Sequence, residues 1–593
     1  MAAIQRTLAV LLLLVAGLAV NLAVATGPAQ AASSLCAQYC DTRDPSQARQ
    51  ETFPAGTLLV NNRQIRLHLS DLDGMAWGSI DAGTQGESVW LDRSFDGGAT
   101  WEGLLGKASI PGTWTGTRTL MYNLSDPSHH RRGMIRACGD AHAVACTSWV
   151  HASVCNATCD NAGAGTDAEA VRTVTLSGRS ISLHFDSAGM AWGTITNTKA
   201  GDEVWLDRSF DGGASWPGGS SLGRTTSGRT NGFNATDPTS LLYGGAVRAC
   251  GRAVEGQNGA CTAWARPSSN RLRAAADALM YSYDPYPAWF PSSWWNSAVA
   301  VTAIIGYTRR TGDQTYAPLV RRTFDVNRVA FPAGARSSDP VDGHFISRSI
   351  DDTAWWGLTW IDAYDLTHDQ VYLTEAVAIA NYVAGFWDTS TCGGGVWWDR
   401  ERTYKNAVTI GLYLRLTAAL HNRIAGDTAW LDKAVTGWNW LQNSGMINGS
   451  GLVNDGLTSD CRNNGQTVWT YNQGLAIGAA MELYRATGTA TYQDAARRLG
   501  TAALNSSLVH SGILTESCDP GQSCDDNQKQ FKGVFMRYLA EAGQFQSFAD
   551  TQANTLWSGR DPMNRIGSHW APPSSPPDWR TQASALQALL VAS

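Results

Sequence analysis

Tyr307-Thr308-Arg309-Arg310-Thr311-Gly312-Asp313-Gln314-Thr315-Tyr316 lies between two long runs of helix-forming residues. It reads as a helix end, a glycine stop, a polar residue able to cap a second helix, and an aromatic for that helix's first turns. The same form returns around Thr367-His368-Asp369, between Tyr364 and Tyr372. It returns again in Ala425-Gly426-Asp427 with Trp430, and in Thr487-Gly488-Thr489 with Tyr492. These junctions stand roughly 55 to 60 residues apart, the length of two helices and two loops. The stretch after about Asn270, roughly 325 residues, then holds six helix pairs. Six helical hairpins can close into a ring, an all-α (α/α)6 barrel; an open solenoid of the same hairpins is the alternative. No terminal capping repeat stands out, which favours closure.

Upstream of Asn270 the texture is different. Gly74-Met75-Ala76-Trp77-Gly78 returns as Gly189-Met190-Ala191-Trp192-Gly193. Val89 to Gly98, VWLDRSFDGG, returns as Val204 to Gly213. Ile65-Arg66-Leu67-His68-Leu69 and Ile181-Ser182-Leu183-His184-Phe185 alternate apolar and polar, the period of a half-buried strand. Ser94 to Trp101 resembles an Asp-box turn, as does Ser209 to Trp216, and the turn residues are read as architecture, with the tryptophan folded beneath. The expectation is a multidomain chain: two tandem all-β modules at 32–150 and 151–267, then the helical barrel at 268–593. The modules serve as spacers or as contacts with cell-wall glycan, and no motif in them decides.

The first 31 residues read as a secretory signal. Arg6 precedes an apolar run from Leu8 to Ala25, and Ala29-Gln30-Ala31 offers small residues for cleavage. An uncleaved anchor is the alternative, since the run approaches the length of a membrane span. No later segment could span a bilayer, so an extracellular protein is expected. Twelve cysteines in an exported chain point to disulfides. Each β copy holds four: Cys36, Cys40, Cys138 and Cys146, then Cys155, Cys159, Cys250 and Cys261. Four cysteines allow three pairings, which sequence leaves open. In the helical part Cys518 and Cys524 are near enough to staple a loop, leaving Cys392 with Cys461. No cysteine lies in C-x-x-C spacing, against a zinc site. The net charge of −6 on 593 residues is small and no basic block runs along the chain, against nucleic acid as a partner. Tryptophan is abundant at 25, and the indole face that packs a core also stacks on sugar rings.

The sharpest chemical signal is Ser349-Ile350-Asp351-Asp352-Thr353-Ala354-Trp355-Trp356. Asp525-Asp526 is a contrasting pair, set among Gln and Lys before a helix and read as solvated. Asp351 and Asp352 sit beside Ile350, Ala354, Trp355, Trp356 and Leu358, where lost hydration raises at least one carboxyl pKa. At a helix start the two side chains point about 100° apart and flank a point. That suits glycoside hydrolysis, one carboxylate attacking the anomeric carbon and the other protonating the leaving oxygen. A retaining pair stands about 5 to 5.5 Å apart, within reach of neighbours; the roughly 6.5 to 9.5 Å of an inverting pair is harder to reach. The active site is expected at one mouth of the barrel.

The Asp351–Trp356 stretch resembles the central motif of glycoside hydrolase family 76, the endo-α-1,6-mannanases. Gly393-Gly394-Gly395-Val396-Trp397-Trp398-Asp399, Tyr404-Lys405-Asn406-Ala407, Trp469-Thr470-Tyr471-Asn472-Gln473-Gly474 and Phe531-Lys532-Gly533-Val534-Phe535 follow in the family's order. The resemblance covers roughly Asn270 to Ser593. It implies the (α/α)6 barrel, a retaining mechanism with no metal or cofactor, Asp351 as nucleophile and Asp352 as general acid/base. The substrate it implies is α-mannan polysaccharide or oligosaccharide. Ile410 departs from the pattern, where relatives often carry a polar residue. The triple glycine allows backbone to pass close to a ligand. Trp397 or Trp398 is expected to stack on a sugar. Asn406, Tyr471, Asn472 and Gln473 offer groups to read hydroxyls, against an equal expectation of buried helix-to-helix bonding. Asp399 either meets substrate or pairs with Arg400 or Arg402. Lys532 either bonds a hydroxyl or neutralises a cleft carboxylate. A transglycosylase and a non-catalytic glycan-binding protein are the competing functions.

Overall fold

A computed structural model describes residue 35 and residues 40–593, apart from 153–158, 217–220, 238–239, 257, 292–293 and 335. The expected signal at 1–31 lies outside the described residues, as do Cys36 and Cys155.

Among the described residues, twelve helices fill the C-terminal part. They are α1 (Arg271–Met280), α2 (Trp294–Thr311), α3 (Ala317–Asn327), α4 (Ile350–Thr367), α5 (Gln370–Ala384) and α6 (Ala407–Arg423). After them come α7 (Ala429–Asn443), α8 (Thr470–Thr487), α9 (Ala490–Leu504), α10 (Phe531–Glu541), α11 (Gln546–Ser558) and α12 (Trp579–Leu590). The even-numbered helices each pack on the next, and α12 packs back on α2. The ring is therefore closed, and the open solenoid is ruled out. The odd-numbered helices lie against the inner ones as an outer layer. The junction residues explain the hairpins. Gly312, His368 and Gly488 take left-handed backbone at or next to a helix end. Asp369 then accepts the Val371 N–H at 3.1 Å and Asp427 the Trp430 N–H. The aromatics Tyr316, Tyr372 and Trp430 are buried, pinning each outer helix to the ring.

Inner helices are apolar nearly all round: α4, α6 and α8 bury most of their residues, whereas α7 and α9 bury one side only. Small residues set their spacing. A methyl on Gly474 would come within 2.7 Å of the Phe535 Cα, and one on Gly533 within 2.5 Å of the Ser584 Cα. These two motif glycines therefore let α10 approach α8 and α12 backbone to backbone. Much of the tryptophan serves this core: Trp356 and Trp360 are fully buried and stack at 5.4 Å. Ile410 is buried within α6.

The N-terminal part is antiparallel β-structure. In the first sequence copy, Arg63–Ser70 pairs with Met75–Asp81, and Ser88–Ser94 lies between Met134–Asp140 and Glu102–Ser109 in a second sheet. In the second copy, Arg179–Phe185 pairs with Met190–Thr196, and Glu203–Ser209 lies between Ala246–Arg252 and Leu222–Thr225. Registers repeat: His68 faces Trp77 and His184 faces Trp192, while Trp90 faces Cys138 and Trp205 faces Cys250. Each copy has its own apolar cluster between its sheets. Cys138–Cys146 and Cys250–Cys261 are disulfides across directly opposed residues of neighbouring strands. Cys40 and Cys159 are also disulfide-bonded. The helical part holds Cys392–Cys461 and Cys518–Cys524, the pairing expected from sequence. The β-structure touches the barrel where His130 stacks on Tyr281 at 4.2 Å and Asn564 donates to the Pro267 carbonyl. Among the described residues, no helix is long and apolar enough to cross a membrane.

Candidate active site

A cleft of about 860 Å³ opens at the end of the ring where the inner helices begin. Its wall takes Trp294 and Trp295 from the start of α2, Asp351, Asp352 and Trp355 from α4, and Val408 from α6. Tyr471 comes from α8 and Phe531 from α10. Loops add Trp398, Tyr404, Asn406, Asp455, Trp469 and Asp525. The helix N-termini bring their positive dipole ends to this rim, an environment that favours carboxylates.

Asp351 and Asp352 occupy the first turn of α4 and are half-buried. The loop carrying Trp398 is fixed to the same turn, because the Ile350 N–H donates to the Trp398 carbonyl at 2.8 Å. Burial raises the Asp351 carboxyl to about 6, against the pull of the Asp352 backbone N–H and the Trp398 indole N–H. Its Oδ1 is shielded from water and accepts no hydrogen bond. Burial, with the charges of Asp351 and Asp339 added, pushes Asp352 well above the carboxylate range. Neither aspartate has a salt-bridge partner among the described residues, and no described lining residue is Lys, Arg or His. The pair is thus arranged so that one carboxyl ionises before the other, the division of labour an acid and a nucleophile need.

Aromatic faces line the rest. Trp295 stacks on Trp355 at 5.4 Å and holds its N–H on the Asn527 side-chain oxygen at 2.8 Å. Tyr471 lies flat on Phe531 at 3.8 Å. Asn406 lines the cleft while capping α6, its Oδ1 accepting from the Thr409 N–H and hydroxyl at 3.1 and 2.6 Å. Tyr404 donates to Asp455 at 2.5 Å and accepts from Asn464 at 2.6 Å.

The remaining sequence candidates lie behind this wall. Trp397 lies under the Lys405 ammonium, 4.7 Å from its ring centre, so of the two tryptophans it is Trp398 that faces the cleft. Asp399 is buried on the Thr403 N–H and hydroxyl and on Arg348, which is neither of the arginines considered from sequence. Gln473 grips both the N–H and the carbonyl of Val453 at 2.8 and 2.7 Å. Asn472 is buried with neither polar atom hydrogen-bonded. Lys532 is buried on Asp519 and the Ser568 carbonyl, both at 2.5 Å, so the carboxylate it neutralises belongs to a supporting loop. The triple glycine does not approach the cleft. Gly394 and Gly395 lie against the Trp440 indole, where a methyl would come within 2.5 and 2.6 Å, and the Gly394 carbonyl accepts from Lys405.

Asp455 and Asp525 line the cleft without a sequence signal that singles them out. Asp455 stands in an irregular loop with no periodicity to flag it. Asp525 is exposed, as its Gln and Lys neighbours suggest, and it also lines the cleft, while Asp526 pairs with Lys529 and Arg580. Both loops are tied down by the two disulfides of the barrel, a signal present in the cysteine positions.

A closed double ring of helices with paired, unneutralised carboxylates and aromatic walls at one mouth defines a class, the helical-barrel glycoside hydrolases. The sequence profile of glycosyl hydrolase family 76 matches residues 269–591, and the chain belongs to that family. A putative mannan endo-1,6-α-mannosidase of Schizosaccharomyces pombe is 27% identical over 295 residues, which are 47% of this chain and 65% of that protein. The mannan endo-1,6-α-mannosidase DCW1 of Candida albicans is 27% identical over 271 residues, 42% of this chain and 58% of that protein. The chain thus spans about three-fifths of the length of these relatives. The α-1,6-mannanase of Salegentibacter sp. HEL1_6 is 25% identical, with a TM-score of 0.47, covering 54% of this chain and 97% of that one.

Proposed function

We propose that the chain is a secreted, retaining, endo-acting hydrolase of α-1,6-mannosidic linkages in mannan backbones. The observation that carries the reading is the Asp351–Asp352 pair: adjacent in the cleft wall, both carboxyls raised by burial, and neither salt-bridged among the described residues. In the first step the ionised Asp351 attacks the anomeric carbon, forming a glycosyl ester, as Asp352 gives its proton to the departing oxygen. In the second step Asp352, now a carboxylate, takes a proton from water, whose oxygen displaces Asp351 and regenerates both groups. A cleft without basic lining suits a neutral sugar, and Trp398, Trp469 and Tyr471 offer faces to its rings. Family membership and the mannosidase relatives support mannan as the substrate.

On this reading residues 1–31 are a signal, 32–150 and 151–267 are β-rich copies, and 268–593 are the catalytic part. The β-rich part contacts cell-wall glycan. The test is a digest of linear α-1,6-mannan followed by NMR. Early α-configured reducing ends and a spread of internal fragments are expected. Early β-anomers would remove the nucleophile role of Asp351. Mannose as the sole first product would remove endo action. Elongated products at high acceptor concentration would mark transfer to a sugar hydroxyl instead of water.

A further inference from the structure

Each β copy carries an aromatic platform outside the helical ring. In the first, the Arg136 guanidinium lies over Trp101 and Trp149, 4.9 and 4.5 Å from the ring centres. In the second, Arg248 lies over Trp216 and Trp264 at 4.3 and 4.5 Å. The support beneath is duplicated atom for atom. Asp92 takes the Arg136 Nε and Nη2 at 3.0 and 2.8 Å and the Trp90 indole N–H at 3.2 Å. Asp207 takes the Arg248 Nε and Nη2 at 3.0 and 2.9 Å and the Trp205 N–H at 3.1 Å. Glycine makes room for the inner indole: a methyl on Gly98 would meet Trp149 at 2.8 Å, and one on Gly213 would meet Trp264 at 2.5 Å.

The outer indoles are not tucked beneath their turns, as the Asp-box resemblance had suggested. Trp101 is 51% exposed and Trp216 is 40% exposed. The turns themselves are held by other groups, the Thr100 and Ser215 N–H groups donating to Asp96 and Asp211 at 2.8 Å. The turn therefore does not require the indole to be buried. Exposed tryptophan loses hydrophobic stabilisation that burial would supply, and both copies accept that loss at the same place. The guanidinium is balanced by its aspartate, so the platform pairs an open aromatic face with polar edges and carries no net charge.

We propose that the Trp101–Arg136–Trp149 and Trp216–Arg248–Trp264 platforms are two glycan-binding sites that take pyranose rings of a neutral hexose polymer. The sugar's apolar face stacks on the exposed indole, and its hydroxyls meet the guanidinium edge. Two like sites on one chain suit a repeating ligand, since the second contact becomes intramolecular. This names the site of the glycan contact proposed above and rests on that reading.

The test uses the full chain with Asp351→Asn, so that the polymer survives, and immobilised linear α-1,6-mannan as the probe. Trp101→Ala or Trp216→Ala is expected to weaken retention about five- to tenfold, and the double variant about 100-fold. Trp101→Phe with Trp216→Phe keeps the faces and is expected to stay within about threefold of the parent. Wild-type retention by the double alanine variant, with an unchanged melting temperature, would overturn the proposal. So would preferential, salt-sensitive retention on polygalacturonate. With Asp351 intact, the tryptophan variants should cleave soluble α-1,6-mannotetraose at the wild-type rate. If no form cleaves it, the hydrolase reading fails while the retention measurement still stands.

Discussion

The six inner helices build two cavities, one at each end, and the two treat charge in opposite ways. At the end where the helices start, the cleft of about 860 Å³ exposes Asp351 and Asp352 with no cation in its described wall. At the end where they finish, a cavity of about 650 Å³ is lined by Arg309, Arg310, Arg415, Arg423, Arg485 and Arg537 with Asp362, Asp365, Glu482 and Glu541. There every carboxylate is paired: Arg415 with Glu541 at 2.7 Å and Glu482 at 3.2 Å, Arg423 with Asp365 at 2.6 Å, Arg537 with Asp362. Burial would raise Glu482, but Arg415, Arg485 and Arg423 outweigh it and hold the carboxyl at about 2. The arginines also meet the negative ends of the helix dipoles. Burial alone therefore does not fix where a carboxyl titrates. It raises the carboxyl where no guanidinium answers it, and the ring keeps its unpaired acids and its ion pairs about a helix length apart.

The largest effect should come from Asp351→Asn. Turnover on linear α-1,6-mannan is expected to fall by about 10⁴-fold or more, with the fold retained. A carboxyl raised in the folded state destabilises it above its unfolded pKa, so this variant should melt at or above the wild-type temperature. Asp352→Asn should lose about 10²- to 10⁴-fold on mannan and far less on an aryl α-mannoside whose leaving group needs no proton. Equal losses on the two substrates would dismiss Asp352 as the acid. At the other end the signs reverse. Arg415→Met should leave turnover per folded molecule unchanged yet cost about 3 to 5 kcal/mol in urea unfolding, because Glu482 and Glu541 lose their shared partner. A drop in turnover without a drop in stability would erase the distinction between the ends.

Acid should separate them further. Glu482 is depressed in the folded state, so its contribution is full above about 4.3 and is lost as the pH falls towards about 2. Activity should fail earlier, as Asp351 takes a proton near 6, while the enzyme is still folded. An alkaline limb set by Asp352 closes the bell, and on the aryl substrate Asp352→Asn should flatten it. Each limb should change the rate about tenfold per pH unit, the smallest of these effects.

The hairpin junctions at Gly312, His368, Gly426 and Gly488 could be read because helix ends use local rules: a left-handed stop at each and, at Asp369 and Asp427, a carboxylate that caps the next helix, whereas Asp313 and Thr489 do not cap theirs. Asp351 and Asp352 could be read because their apolar neighbours are adjacent in sequence. The duplicated β-strands could be read because both copies are printed in one chain. Asp455 and Asp525 could not, since loops bring them to the cleft from between other helices. Gln473, Lys532 and Asp399 have the polar chemistry of substrate contacts, and nothing local tells a hydroxyl of a ligand from a polar group of a neighbouring loop.

The sequence by itself determined the helical ring, the β-rich repeats and the acidic pair, because each depends on periodicity or on neighbours within a few residues. Tertiary structure alone decided which polar side chains face the cleft, which charges are neutralised, and that Trp101 and Trp216 stay in solvent. Those outcomes depend on what packs against a residue from elsewhere in the chain, and burial and pairing energies have no counterpart in linear order.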